Sequence, residues 1–220
     1  FCVTELGGFY LDIIKDRQYT TQAAGIPRRS TQSAMYHILE MLSRLIAPIL
    51  CYTADEIWEN IPGARGESVF LSDFDAAEED YGESADFSDD FWRQLMAIKT
   101  AVNKELETRR AEKTVGSGLS AEIDLYCSDE LGQQLHRLGD ELRFAMIVSR
   151  ATVSPLAEAG ADAVDTEVDG LKLRVSASLR PKCERCWHHR EDVGSDASHP
   201  QLCQRCVDNI EGAGEKRSFA

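Results

Sequence analysis

The sequence predicts a mainly α-helical protein: an antiparallel helical bundle, then a small α+β unit, then a four-cysteine module. Through the first half of the 220 residues, apolar side chains recur at three- and four-residue spacings, which is typical of amphipathic helices. From residue 119 the apolar period changes to two, as it does in strands. The last forty residues contain two closely spaced cysteine pairs. These observations predict domains at 1-115, 116-180 and 181-220.

Three helices are predicted before the first Pro-Gly break. Residues 6–17 and residues 29–50 have apolar faces at helical spacing, and Pro48 should mark the last turn of the second helix. Thr53 and Glu56 have the spacing of a capping box ahead of a third, short helix. The second helix is expected to bury one stripe of apolar side chains: Met35, Ile38, Leu39, Leu42, Leu45, Ile46 and Ile49.

A short extended piece is expected at 68–74, before a strongly acidic stretch. Residues 73–90 contain nine carboxylates and no cation, so we expect a solvated loop. Ser88 is a plausible N-cap for a long helix over 89–112. The far end of that helix is basic, and two interpretations stay open: contact with phosphates, or a solvated end stabilised by neighbouring glutamates.

The α+β unit is predicted from alternation followed by one more helix. Ile123 and Leu125 alternate with polar neighbours, which indicates a strand. A helix is expected over 129–144, and further strands are expected within 147–153 and 171–178. The acidic stretch between these last two strands is expected to be a loose loop.

The cysteine pairs have the spacing of a metal site. Cys183 and Cys186 lie in CERC, Cys203 and Cys206 lie in CQRC, and sixteen residues separate the pairs. Two tight turns of this kind can direct four thiolates at one Zn²⁺. Four thiolates close the coordination shell, so the predicted zinc is structural and not hydrolytic. Two disulfides or free thiols are the alternative, and His188 and His189 are competing but less favoured ligands.

The chain's net charge of −14 argues against a polyanionic partner unless cations cluster locally. From Arg180 onward, seven basic residues balance seven acidic ones. Trp187 lies among these cations, which would suit stacking on an unpaired base. The alternative is that Trp187 covers the zinc site as the core of the module.

No stretch is long and apolar enough to cross a bilayer, and we expect a cytoplasmic protein with no membrane partner. Because the chain starts at Phe1 inside a helical pattern, we also expect it to be part of a longer protein. Phosphate-binding glycine loops and a convincing nucleophile-base-acid set are absent from the sequence. We therefore predict no catalytic residues in this chain.

Several segments together resemble the C-terminal part of bacterial isoleucyl-tRNA synthetases, which are class I aminoacyl-tRNA synthetases. The resemblance runs through the whole chain and rests on FYLDIIKDRQYT, SAMYHILEMLSRLIAPILCYTADEIWENIPG, VNKELETRRAEKTVGSGLSAEIDLY, CERCWHHREDVG and CQRCVDNIEGAGEKRSFA. The helical part alone would also fit the valyl and leucyl relatives. The terminal four-cysteine module is the feature that indicates the isoleucyl family.

The resemblance implies a helical anticodon-binding domain, a small junction domain and a zinc finger that contacts tRNA. The implied partners are tRNA(Ile) and the remainder of a monomeric synthetase, whose catalytic and editing domains lie outside this chain. The parent enzyme would use ATP to attach isoleucine to its tRNA. We expect tRNA contacts at nine residues, taken from the basic end of the long helix and from the terminal module: Arg109, Arg110, Lys113, Arg185, Trp187, Arg190, Arg205, Lys216 and Arg217.

Two other classes of protein remain open from sequence. A similar four-cysteine finger occurs in DNA-repair glycosylases of the formamidopyrimidine type, although the upstream helices here do not resemble them. A zinc-stapled interaction module without nucleic acid would suit the net negative charge. Binding of tRNA and of duplex DNA at two salt concentrations separates the three interpretations.

Overall fold

A computed structural model describes residues 1–73 and 87–219 and confirms the predicted fold class. A helical first part leads into a mixed four-stranded sheet and then into a four-cysteine cluster. The predicted acidic loop at 73–90 lies mostly outside the described residues. Among the described residues, none of the helices is both long and apolar enough to span a membrane.

In the described residues of the first part of the chain, 1–73 and 87–111, there are five α-helices. A π-helical turn at Cys2–Tyr10 precedes them. The helices are α1 (Leu11–Ile13), α2 (Lys15–Thr20), α3 (Ile26–Ile46), α4 (Cys51–Asn60) and α5 (Asp89–Ala111). The predicted helix at 6–17 is therefore three consecutive helical segments, and Pro48 does follow the end of α3.

Three local predictions in this part were wrong. The predicted capping box is absent, because α4 begins at Cys51. Thr53 is therefore inside the helix, and Leu50 is in the N-cap position. Residues 69–71 form a 3₁₀ turn in place of an extended piece, since the Ser68 hydroxyl accepts a hydrogen bond from the Phe70 N–H. The predicted apolar stripe of α3 is buried only in part. Ile46 packs on the core that α3 shares with α4, whereas Leu45 is 54% exposed and Ile49, beyond the end of α3, is 81% exposed.

Helix α5 agrees with the prediction, including its cap. The Ser88 hydroxyl accepts a hydrogen bond from the Phe91 N–H at 3.3 Å, and Asp89 and Asp90 lie in the first turn, where the helix dipole favours negative charge. The apolar face of α5 packs on the sheet and so forms one core with the α+β unit. A second, smaller core joins α3 and α4 around Ala54 and Trp58.

The sheet has the order β2-β1-β4-β3. Its strands are β1 (Ala121–Cys127), β2 (Arg150–Pro155), β3 (Val164–Asp165) and β4 (Leu171–Ala177). Strand β1 is parallel to β2 and antiparallel to β4. The short strand β3 lies within the stretch that was expected to be a loose loop. The helix predicted at 129–144 is divided into α6 (Asp129–His136) and α7 (Leu142–Met146), separated by Gly139 at φ 53°.

Both faces of β1 are buried, although every second residue is polar. On one face, Ile123 and Leu125 join the apolar core. On the other face, the Glu122 carboxylate accepts hydrogen bonds from Arg150 Nε and Ser178 Oγ, both at 2.7 Å. Arg174 binds Asp124 at 2.7 Å. Buried carboxylates therefore tie β1 to both neighbouring strands.

We expect Glu122→Gln to lower the free energy of unfolding at pH 7 by about 1–2 kcal/mol. Burial raises the pKa of Glu122, but Ser178 and the Arg150 charge lower it by more, so that the folded-state pKa is below the ordinary value. A carboxylate of this kind stabilises the fold above its unfolded pKa, and its contribution is lost as pH falls through the folded pKa.

Urea unfolding between pH 3 and 7 measures this effect. The wild-type curve should fall more steeply below about pH 4.5 than the curve of the variant. Glu158→Gln, at an exposed position, is the control and should follow the wild type. Parallel curves for wild type and Glu122→Gln would contradict the assigned ion pairs.

Candidate zinc centre and nucleic-acid interface

Two tight turns bring the cysteine pairs together. In the first, the Trp187 N–H donates to the Cys183 carbonyl at 2.9 Å, and the Cys183 N–H donates to the carbonyl of His188 at the same distance. In the second, Cys203 precedes α8 (Gln204–Ile210) and accepts from the Cys206 N–H at 2.9 Å. Each turn therefore directs its two sulfurs at a point that the two turns share.

The four sulfurs have the separation that tetrahedral zinc requires. All of them lie within 4.8 Å of one another, and the Cys186 and Cys203 sulfurs are 3.7 Å apart. A tetrahedron with Zn–S bonds of about 2.3 Å has edges of about 3.8 Å. The Cys203 N–H also donates to Cys183 Sγ at 3.4 Å, which is a typical outer-shell contact to a thiolate ligand. The arrangement is consistent with one structural zinc ion.

Hydrogen bonding within the cluster favours thiolates at two of the four positions. Bonds from Cys186, Cys203 and Cys206 lower the pKa of Cys183 far below its ordinary range. The bond with Cys183 raises the pKa of Cys186, but bonds from Cys203 and Cys206 lower it to about 6. The pKa values of Cys203 and Cys206 are raised, chiefly through Cys183. A cation is the group that can hold all four as thiolates.

Disulfides and histidine ligation, two of the alternatives left open by the spacing, do not fit this geometry. All seven cysteines are free, and a sulfur separation of 3.7 Å is much longer than a disulfide bond. The His189 ring nitrogen Nδ1 lies 2.8 Å from the Arg180 carbonyl. His188 is buried and faces Arg143 and Asp16, so neither ring is directed at the sulfurs.

His188 connects the finger to the rest of the molecule. Its Nδ1 lies 3.3 Å from an Arg143 nitrogen, which can only donate. The ring is therefore neutral with its proton on Nε2, 3.7 Å from an Asp16 oxygen. Burial lowers the pKa of His188 below its ordinary value, which agrees with a neutral ring.

Trp187 does not form the core of the finger. Val193 and Leu202 pack on the sulfurs, whereas Trp187 is 59% exposed and has a φ of 65°. The Lys182 ammonium lies 5.1 Å from the centre of the indole ring. Trp187 and the exposed Tyr19 also line a cavity of about 580 Å³ between the finger and α2.

Three of the predicted tRNA-contacting arginines are directed into the protein. Arg205 makes a double ion pair with Asp16, at 2.6 and 2.9 Å. Arg185 donates to the Thr20 carbonyl. The Arg217 guanidinium is buried 3.3 Å from the centre of the Phe144 ring, and burial lowers its pKa to about 10. Arg205 and Arg217 are thus unsuited to contact RNA in this structure, because a phosphate could reach them only by disrupting a buried cluster.

The remaining predicted contacts lie nearer the surface. Arg109 and Arg110 pair with glutamates on their own helix, at 2.7 and 2.6 Å. These pairs correspond to the second interpretation of the basic helix end, in which neighbouring glutamates stabilise it. Arg190 is partly buried and lies 3.7 Å from Asp192. Lys113 and Lys216 are exposed.

Sequence reasoning missed Asp16, Thr20 and Lys182. Asp16 and Thr20 follow Ile13 at three- and seven-residue spacings, so their place on the buried side of the first helices could have been noticed. The two cysteine turns also share an arginine in the same place, at Arg185 and Arg205. This repetition was a signal of a common structural role.

The fold and the sulfur cage agree with comparisons to known families. Residues 1–125 match the family described as the anticodon-binding domain of tRNA ligases, and the chain belongs to this family. Residues 181–209 match a zinc finger described as found in FPG and IleRS.

Several close relatives of the chain are isoleucine–tRNA ligases, and this chain corresponds to their anticodon-binding and zinc-finger region. The identity is 58% to the protein of Pseudomonas paraeruginosa, and 57% to those of Pseudomonas aeruginosa and Azotobacter vinelandii. Each comparison covers all 220 residues of this chain and 23% of the relative. The chain thus spans less than a quarter of the length of the relatives that it matches.

We expect the purified chain to contain one zinc ion, and Cys206→Ala to contain close to none after dialysis against a chelator. Loss of one thiolate opens the tetrahedron and removes a large part of the binding free energy. Elemental analysis checks the content. Cys51→Ser, at an exposed cysteine away from the cage, should retain one zinc. Equal zinc content in both variants would place the metal elsewhere.

Proposed function

We propose that this chain is the tRNA-binding portion of an isoleucine–tRNA ligase. The parent enzyme would use ATP to attach L-isoleucine to tRNA(Ile), with its catalytic and editing domains outside this chain. The observation that carries the proposal is the combination of an anticodon-binding family match with a four-sulfur cage in one chain. Whole-chain identity of 57–58% to isoleucine–tRNA ligases supports it.

The zinc ion would be held by Cys183, Cys186, Cys203 and Cys206 and would have a structural role. Four protein ligands complete a closed tetrahedral site and leave no position for a reactive water. The finger has few apolar side chains of its own, with only Val193 and Leu202 packed on the four cysteines among the described residues. Metal coordination would therefore supply much of its folding free energy.

The tRNA surface proposed for the finger is centred on Trp187. An exposed indole next to a lysine ammonium can stack on an unpaired base while the cation binds a phosphate. The adjoining cavity is lined by a second exposed aromatic side chain, Tyr19, and by Lys15. The exposed Lys113 and Lys216 are the remaining candidates for phosphate contact.

The other assignments are proposed with the function. The domains at 1-115, 116-180 and 181-220 would be the anticodon-binding, junction and zinc-finger domains, although the α5 core is continuous across the first boundary. We further propose that the parent is a monomer in the cytoplasm.

Preferential binding of tRNA is the direct test of the nucleic-acid partner. We expect filter binding to give a lower Kd for tRNA(Ile) than for duplex DNA of equal length at both low and moderate salt. Trp187→Ala should weaken tRNA binding by about 1–3 kcal/mol through lost stacking, and Trp92→Phe is the matched aromatic control. Tighter binding of duplex DNA would favour a glycosylase-like finger, and binding of neither would favour a protein-interaction module.

The division of labour in the parent enzyme is tested by Cys203→Ser. We expect this change to remove zinc and weaken tRNA charging, because the finger positions tRNA. Isoleucine-dependent pyrophosphate exchange should stay near the wild-type rate, since adenylate formation would occur in another domain. A parallel fall in exchange and charging would contradict this separation.

A further inference from the structure

One arginine from each cysteine turn contacts the same short helix, α2. Arg205, from the second turn, forms two hydrogen bonds to the Asp16 carboxylate, at 2.6 and 2.9 Å. Arg185, from the first turn, donates to the carbonyl of Thr20. We call these four residues, Asp16, Thr20, Arg185 and Arg205, the finger–helix contact.

The orientation of both arginines depends on the sulfur cage. Each arginine is the residue immediately before the second cysteine of its turn, Cys186 or Cys206. A bound metal would fix both cysteines and, with them, the backbone from which each guanidinium extends. The two turns are also joined by the Glu184 N–H, which donates to the Gln201 carbonyl at 3.1 Å, and a metal bound by all four sulfurs would be a much stronger link than this bond.

The contact is buried and electrostatically strong. The side chains of Asp16 and Arg205 are 15% and 12% exposed, so their attraction is little screened by water. Glu215 and Arg217 lie in the same cluster, which balances its charge. Removing one member leaves an uncompensated buried charge, and that is strongly destabilising.

Helix α2 contains six residues and forms the last part of the helical stretch that begins before it. The Gln18 N–H donates to the Ile14 carbonyl at 2.9 Å, and the Ile14 N–H donates to the Tyr10 carbonyl at 3.1 Å. The end of this stretch, from Asp16 to Thr20, is the part that the two arginines hold. Its contacts include a hydrogen bond from Gln18 to Thr31 of α3. The neighbouring Gln22 side chain donates to the Gly212 carbonyl, beyond the finger, at 2.8 Å. The finger is therefore one of the supports of the last turn of α2, beside α3 and the ion pair of Arg17 with Glu141.

We propose that Asp16 is a positioning residue that couples zinc binding in the finger to the order of helix α2, which belongs to the anticodon-binding region. The inference rests on the proposed zinc site. Because coupling is reciprocal, zinc should order α2, and the docked α2 should slow the release of zinc.

Hydrogen exchange of the full chain, with and without a chelator, tests the first half of this coupling. In the wild type, chelation should speed amide exchange in residues 15–20 by tenfold or more, and exchange in β4 should change little. In Asp16→Asn, residues 15–20 should exchange rapidly even with zinc bound, and chelation should add little. The control is Asp12→Asn. Asp12 lies one turn before Asp16 and pairs with Lys15, so this variant should behave as wild type.

Zinc release to a coloured chelator tests the second half. We expect release to be roughly tenfold faster in Asp16→Asn, within the usual range of coupling between sites, and unchanged in Asp12→Asn. Arg185→Gln gives a second, milder variant if Asp16→Asn fails to fold, and it should show the same two effects in smaller size.

A wild-type chain that binds one zinc ion but shows no chelation response in residues 15–20 would overturn the coupling and leave the proposed zinc site standing. Zinc dependence that persists in full in Asp16→Asn would also overturn it, because another path would then connect the finger to α2. Absence of zinc from the wild type would instead contradict the proposed function.

Discussion

The convergence of four sulfurs on one point is the constraint on which the end of this molecule depends. Cys183, Cys186, Cys203 and Cys206 lie within 4.8 Å of one another, in a segment too small to be held by hydrophobic burial alone. The four-sulfur cluster fixes the positions of the backbone segments on either side of each cysteine pair. The tail beyond the finger then returns to the junction, where Glu141 accepts hydrogen bonds from the Ser218 and Phe219 backbone at 2.7 and 2.6 Å.

Some of the charges of the terminal module lie inside the fold. Arginines of the terminal module were expected on an RNA surface, yet Arg205 and Arg217 neutralise Asp16 and Glu215 in a buried cluster. This pairing removes the two arginines from the surface available to RNA. Of the candidates that remain, the exposed Trp187 beside Lys182 is the most suitable for an unpaired base.

Local patterns predicted the parts of the structure that local physics determines. The cysteine spacing predicted the cage, Ser88 predicted the start of α5, and alternation predicted β1 and β4. Features that depend on packing partners were missed. Nothing in the periodicity of α3 shows that α2 packs beside Thr31, or that Leu45 stays exposed while Ile46 packs on the core shared with α4. Likewise, a count of cations cannot distinguish an arginine that faces solvent from one that faces Asp16.

In the proposed arrangement, a zinc-stapled finger docked on the helical region would present a surface for tRNA. A hydrogen-exchange footprint of tRNA(Ile) on the chain, recorded before and after zinc chelation, measures whether it does. We expect tRNA-dependent protection around residues 182–190 that disappears when zinc is removed. Protection that is confined to other segments, or that is unchanged after chelation, would rule this arrangement out.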